Sequence, residues 1–129
     1  MILLVDDDVQ FLQNTDRLLN CTWHVLFARD GYHALQLARM IEFSIALVDL
    51  CLPDANGFDV IQELHWAYPE LPIVAISGVW SGPVLESAKE FGAVAVLSKP
   101  ATNAWIETIG RLRAPRTPPA PAHPVRPES

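Results

Sequence analysis

Residues 44–57 read SIALVDLCLPDANG, an apolar run that ends in Asp49 and breaks into a Pro-Asp-Ala-Asn-Gly turn. The run Ser44–Val48 is rich in Ile, Leu and Val without polar alternation, the mark of a strand buried on both faces. Four more such runs occur at Ile2–Val5, Trp23–Ala28, Pro72–Ile76 and Ala93–Leu97. Between them the apolar spacing changes to the helical period. Phe11/Leu12, Thr15 and Leu18/Leu19 mark the first helix, and Ala34, Leu37/Ala38 and Ile41 the second. Phe58, Ile61 and Leu64 mark a third; Leu85, Ala88 and Phe91 a fourth; Trp105, Ile109 and Leu112 a fifth. Breakers separate the segments at Gly31, Pro53–Gly57, Pro69/Pro72, Ser81-Gly82-Pro83 and Lys99-Pro100. Five β-α repeats this short imply an α/β fold with a parallel sheet and helices on both faces.

Composition bounds the class of molecule. The chain has 129 residues, half of them apolar, enough for one domain with one ordinary core. Fifteen acids against nine Lys and Arg give a net charge of −6, which argues against a nucleic-acid-binding surface. No unbroken apolar stretch is long enough for a membrane span, and the early acids Asp6-Asp7-Asp8 argue against a signal peptide. The expected location is the cytoplasm. Two cysteines, Cys21 and Cys51, lack the spacing of a zinc module or disulfide framework, and the four histidines lack ligand spacing. Six of the eleven prolines fall in residues 114–129 (APRTPPAPAHPVRPES), which is expected to be a tail or linker. That segment holds Arg116, Arg126 and Glu128, so residues 1–113 carry fourteen acids and seven bases, net −7. The expected division is a domain over 1–113 and a Pro-rich tail over 114–129.

Parallel sheets of this kind place their ligand site at the carboxyl ends of the strands. The first strand ends in Asp6-Asp7-Asp8, the third in Asp49, the fourth in Ser77-Gly78 and the fifth in Ser98-Lys99-Pro100. Clustered carboxylates raise one another's pKa unless a cation shares the site. Oxygen ligands without His or Cys favour Mg²⁺ or a similar hard ion, and a lysine beside them suits an incoming phosphoryl group. Such a set supports phosphoryl transfer onto a carboxylate.

The chain resembles the response-regulator receiver domains of two-component signalling. The motifs are ILLVDDD at the first strand end, ALVDLCLPDANG around Asp49, AISG at the fourth strand and LSKP at the fifth; together they span Met1 to Arg113. The resemblance implies a flavodoxin-like, doubly wound sheet of order 2-1-3-4-5 flanked by five helices. It makes Asp49 the phosphoacceptor that attacks a phosphohistidine, with Mg²⁺ as cofactor. Asp7 would ligate the ion directly, Asp6 mostly through water, Asp49 through its carboxylate and Cys51 through its backbone carbonyl. Ser77 matches the hydroxyl that bonds a phosphoryl oxygen, Lys99 the lysine that pairs with the phosphoryl group, and Gly57 the glycine that ends the loop after the phosphoacceptor. Lys99-Pro100 resembles the family's cis peptide. Val96 departs from the usual Tyr or Phe three residues before that lysine, Leu52 from the usual Met, and Gly78 follows Ser77 where a small residue is usual. The implied partners are a histidine kinase or phosphotransfer protein, and a second copy or an output partner on the fourth helix and fifth strand. No output module is legible after Arg113, so the chain reads as a stand-alone receiver, a subunit, or part of a longer regulator.

Other residues have plainer roles. Asp8 precedes the first helix and is expected as its N-cap. Cys21 and Cys51 are expected as ordinary small side chains, Trp23 and Trp105 as packing residues, and Asp54 and Asp59 as solvated charges near a helix start. Trp80, in the Gly-rich stretch 77–82, is either a packing residue or an exposed partner anchor. Two other function classes compete. A phosphorylation-independent interaction module would usually have lost one of Asp6, Asp7, Asp49, Ser77 or Lys99. A haloacid-dehalogenase-like phosphatase would want Thr or Val at the position of Gln10, and a longer chain with a cap.

Overall fold

The computed structural model describes residues 1–54, 56–78 and 81–113. The five runs form five parallel strands: β1 (Ile2–Val5), β2 (Val25–Ala28), β3 (Ile45–Asp49), β4 (Ile73–Ser77) and β5 (Ala95–Ser98). Their order across the sheet is β2-β1-β3-β4-β5, as the resemblance implied. The helices α1 (Val9–Leu19), α2 (Gly31–Met40), α3 (Gly57–Ala67), α4 (Gly82–Phe91) and α5 (Asn103–Leu112) connect and follow them.

Successive strand residues face opposite sides, so each side of the sheet has its own core. Leu3, Val5, Ala46, Val48, Ile73 and Ala75 pack with Ala34 and Ala38 of α2, Val60, Ile61 and Leu64 of α3, and Ala88 of α4. Ile2, Leu4, Ile45, Leu47, Val74 and Ile76 pack on the other side with Phe11, Leu12 and Leu19 of α1 and Trp105 and Ile109 of α5. Burial on both faces explains why β1, β3 and β4 have no polar alternation.

Side-chain caps fix where four helices begin. Asp8, Asp30, Asn56 and Ser81 each accept backbone N–H groups from the first turns of α1, α2, α3 and α4. Asp8 is thus the N-cap expected of it. Strands β3 and β4 start one residue, and β2 and β5 two residues, later than the apolar runs suggested. Trp23 closes α1, its N–H donating to the Leu19 carbonyl at 3.0 Å, and its side chain packs beneath β2. Ala93 likewise bonds back to the Ala88 carbonyl at 2.9 Å before β5 begins. Apolar composition continued through both turns while the backbone hydrogen bonds still belonged to the preceding helix. Among the described residues no helix is long and apolar enough to cross a membrane. The Pro-rich segment 114–129 and Trp80 lie outside the described residues.

Candidate functional site

The central strands deliver their polar residues to one edge of the sheet. Asp6 and Asp7 follow β1, Asp49 ends β3 beside it, Ser77 ends β4, and Lys99 follows β5. Parallel pairing keeps these ends level: Val5 pairs with Val48, Asp49 with Ile76 and Ser77 with Ser98. The Lys99 backbone N–H then donates to the Ser77 carbonyl at 3.0 Å, which holds the lysine over the β4 end. The Lys99–Pro100 peptide is cis.

Asp6 is fully buried, Asp49 is 5% exposed and Ser77 is buried, whereas Asp7 is open to solvent. Asp6, Asp7 and Asp49 each offer a carboxylate oxygen within 4.8 Å of the others. The Lys99 Nζ lies 2.7 Å from Asp6 Oδ2 and 3.4 Å from Asp49 Oδ2. Asp6 Oδ1 accepts the Asp8 N–H at 3.0 Å, and Asp49 Oδ1 accepts the Cys51 N–H at 3.3 Å. Cys51 itself is exposed and forms an isolated bridge with Asn56, folding the loop after Asp49 back on itself.

The electrostatics follow from this crowding. Burial, then the neighbouring Asp6 charge, pushes the Asp49 carboxyl up to about 6, against the opposing pull of Lys99 and the Cys51 N–H. Burial pulls the Lys99 ammonium down, but the hydrogen bonds and charges of Asp6 and Asp49 outweigh it and hold the group above its ordinary range. One ammonium pairs with Asp6 and Asp49, and Asp7 adds a third carboxylate, so the edge retains negative charge. The donors are all hard carboxylate oxygens, and a small divalent cation such as Mg²⁺ fits that donor set.

Residues 2–109 match the family model of the response regulator receiver domain. The chain belongs to that family. It is 31% identical over 125 residues to the photosynthetic apparatus regulatory protein RegA of Cereibacter sphaeroides, covering 96% of this chain and 68% of RegA. Two further curated relatives are spanned over only 42% and 43% of their length. A CheY-like receiver domain protein from Methanospirillum hungatei superposes with a TM-score of 0.80 at 28% identity, covering 85% of this chain and 90% of that one. A response regulator from Burkholderia pseudomallei, with a phosphorylated aspartic acid, calcium ion and citrate, gives a TM-score of 0.75 at 30% identity. It covers 83% of this chain and 64% of that one.

Within this receiver domain, two residues have roles that the sequence did not reveal. Phe11, legible only as a core position of α1, lies under the Lys99 ammonium, 4.6 Å from ring centroid to Nζ. Asp54 does more than expected. It is an exposed charge near the start of α3, and its carboxylate also accepts the Gly31 and Tyr32 N–H groups at 2.9 and 3.2 Å. Those donors are the unpaired first N–H groups of α2, so Asp54 ties the β3–α3 loop to a helix twenty-three residues earlier. No local spacing signals a contact of that kind. Val96 is half-buried against the α2–α4 side of the core, where the family's usual aromatic residue would stand.

Proposed function

We propose that this receiver domain takes a phosphoryl group from a histidine kinase or phosphotransfer protein onto Asp49, with Mg²⁺ as cofactor, and so switches a partner or output surface. The observation that carries this reading is the convergence of Asp49 with Asp6, Asp7 and Lys99 on one sheet edge. The phosphorylated aspartic acid of the Burkholderia relative supports the same chemistry. In the proposed step an Asp49 carboxylate oxygen attacks phosphorus, the P–N bond of the donor phosphohistidine breaks, and the departing imidazole keeps the bond's electron pair and takes a proton. Asp7 and Asp49, with the Cys51 carbonyl and Asp6 through water, would hold Mg²⁺, which neutralises charge on the transferring group. Lys99 stabilises a second phosphoryl oxygen and the Ser77 hydroxyl a third. Attack of water on the acyl phosphate returns the carboxylate. The receiver domain corresponds to residues 1–113.

Thermal melts with beryllofluoride, a phosphoryl mimic, test the assignment. Beryllofluoride and Mg²⁺ together should raise Tm well above either alone, because they bind the folded state only, and Asp49→Asn should abolish the rise. An equal rise in Asp49→Asn would remove Asp49 from the role and favour a phosphorylation-independent interaction module.

A further inference from the structure

Four interactions close a ring around Lys99. Asp6 Oδ1 accepts the Asp8 N–H at 3.0 Å, and Asp8 Oδ1 accepts the Phe11 N–H at 3.2 Å. The Phe11 ring faces the Lys99 ammonium at 4.6 Å, and the ammonium returns to Asp6 Oδ2 at 2.7 Å. The ring is braced from behind. Trp105 meets it edge-to-face, with centroids 5.9 Å apart and planes at 64°. The Trp105 indole N–H donates to the carbonyl of Ser98, the residue before Lys99, at 3.1 Å. Phe11 and Trp105 are both buried, so α1, α5 and the end of β5 form one support.

We infer that Phe11 is a positioning residue for phosphoryl transfer: its ring, braced by Trp105, holds the Lys99 ammonium where a phosphoryl oxygen on Asp49 arrives. The inference rests on Asp49 being the phosphoacceptor. Lysine has four side-chain rotors and, between two carboxylates of unequal distance, would follow whichever is more negative. An aromatic face attracts the ammonium through its quadrupole without neutralising it and without competing as a strong hydrogen-bond acceptor. The lysine N–H groups therefore remain available to Asp6, Asp49 and a phosphoryl oxygen. An aliphatic side chain at position 11 would fill the core but leave that side of the ammonium unheld.

Site-specific incorporation of phenylalanines with increasing ring fluorination at position 11 tests this, because fluorine weakens the quadrupole with little change of shape. Beryllofluoride affinity at saturating Mg²⁺ should fall stepwise, by about fivefold at the most fluorinated ring, while the Kd for Mg²⁺ alone stays constant. Phe11→Leu should weaken beryllofluoride binding similarly, and its melting curve reports whether it folds. The chain has two lysines, Lys89 and Lys99, so a ¹³C-lysine spectrum of the unliganded protein gives a second readout. The Lys99 ε-methylene should be shifted upfield by the ring relative to Lys89, and Phe11→Leu should erase the shift. Constant beryllofluoride affinity across the fluorinated series, or a Lys99 signal without the ring shift, overturns the inference and leaves Asp49 in its role. Failure of the wild-type protein to bind beryllofluoride overturns the phosphoacceptor reading and this inference with it.

Discussion

Lys99 lies closer to Asp6 than to Asp49, its Nζ 2.7 Å from one carboxylate and 3.4 Å from the other. The fully buried Asp6 thus has a partner for its charge, whereas Asp49 holds the same ammonium at arm's length. Two buried acids share one cation, and the imbalance falls on Asp49, which is pushed up to about 6. This asymmetry leaves Asp49 farther from its cation than Asp6, which suits the phosphoacceptor role proposed for it.

Neutralising Asp49 should therefore stabilise the metal-free protein. The folded-state value of about 6 lies above the ordinary value of 3.8, so folding is favoured below the lower value and that contribution is lost as pH rises through the upper one. Asp49→Asn should gain about 3 kcal/mol over wild type above roughly pH 6 and nothing below roughly pH 4. Urea melts across that range in chelator measure the difference. A variant less stable than wild type at neutral pH would contradict the account. Asp7, exposed to water, should give a smaller gain on the same substitution.

Asp54→Ala should loosen the start of α2. The Asp54 carboxyl is held below its ordinary range chiefly by the Gly31 N–H, with a further contribution from Tyr32. A carboxyl lowered in the folded state stabilises above its unfolded value of 3.8, and the contribution disappears as pH falls through the lower folded value. Amide exchange at Gly31 and Tyr32 should quicken in Asp54→Ala at neutral pH, while Asp54→Asn, which keeps one acceptor, should fall between. Unchanged exchange in the alanine variant would show that the tether does not hold in solution.

Gly57→Ala should damage fold and site together. A Cβ there would overlap the Asp49 carbonyl oxygen and lie 2.5 Å from Leu50 Cα, both backbone atoms that cannot rotate away. The loop must shift, at a cost of roughly 2–4 kcal/mol, and the displaced backbone is that of Asp49 itself. Denaturant melts and beryllofluoride titration should both be impaired. Wild-type stability would mean that α3 can retreat freely from the β3 end.

Switching should run through α4 rather than through Val96. Valine has a single short rotor and cannot sweep the volume of an aromatic ring. Helix α4 buries only Ala88 fully, against four residues for α1, so it is the more easily displaced of the two. Beryllofluoride with Mg²⁺ should change amide exchange across Gly82–Phe91 more than across α1, and a second copy or output partner would then read α4 and β5. Equal changes in the two helices, or none in α4, would contradict this.

The fold was legible because β1, β3 and β4 are buried on both faces and leave continuous Ile, Leu and Val runs, and because Asp8 and the Gly and Pro breakers mark the segment ends. The acids and lysine were legible because each ends a strand, where the parallel sheet brings ends together. Phe11 and Asp54 were not. Phe11 satisfies the helix period whether or not a lysine lies over it, and Asp54 has its partners in another helix start. Their roles depend on tertiary placement, which neither local period nor residue type encodes.

Phosphorylation of Asp49 is tested most directly by incubating the protein with Mg²⁺ and a small phosphoramidate, then weighing the intact chain and mapping the site after borohydride reduction. The account predicts the mass of one added phosphoryl group, dependent on Mg²⁺, with reduction converting Asp49 alone to homoserine and Asp49→Asn remaining unmodified. A phosphoryl group on any other residue, or none on the wild-type chain under conditions that label the Burkholderia relative, would contradict it.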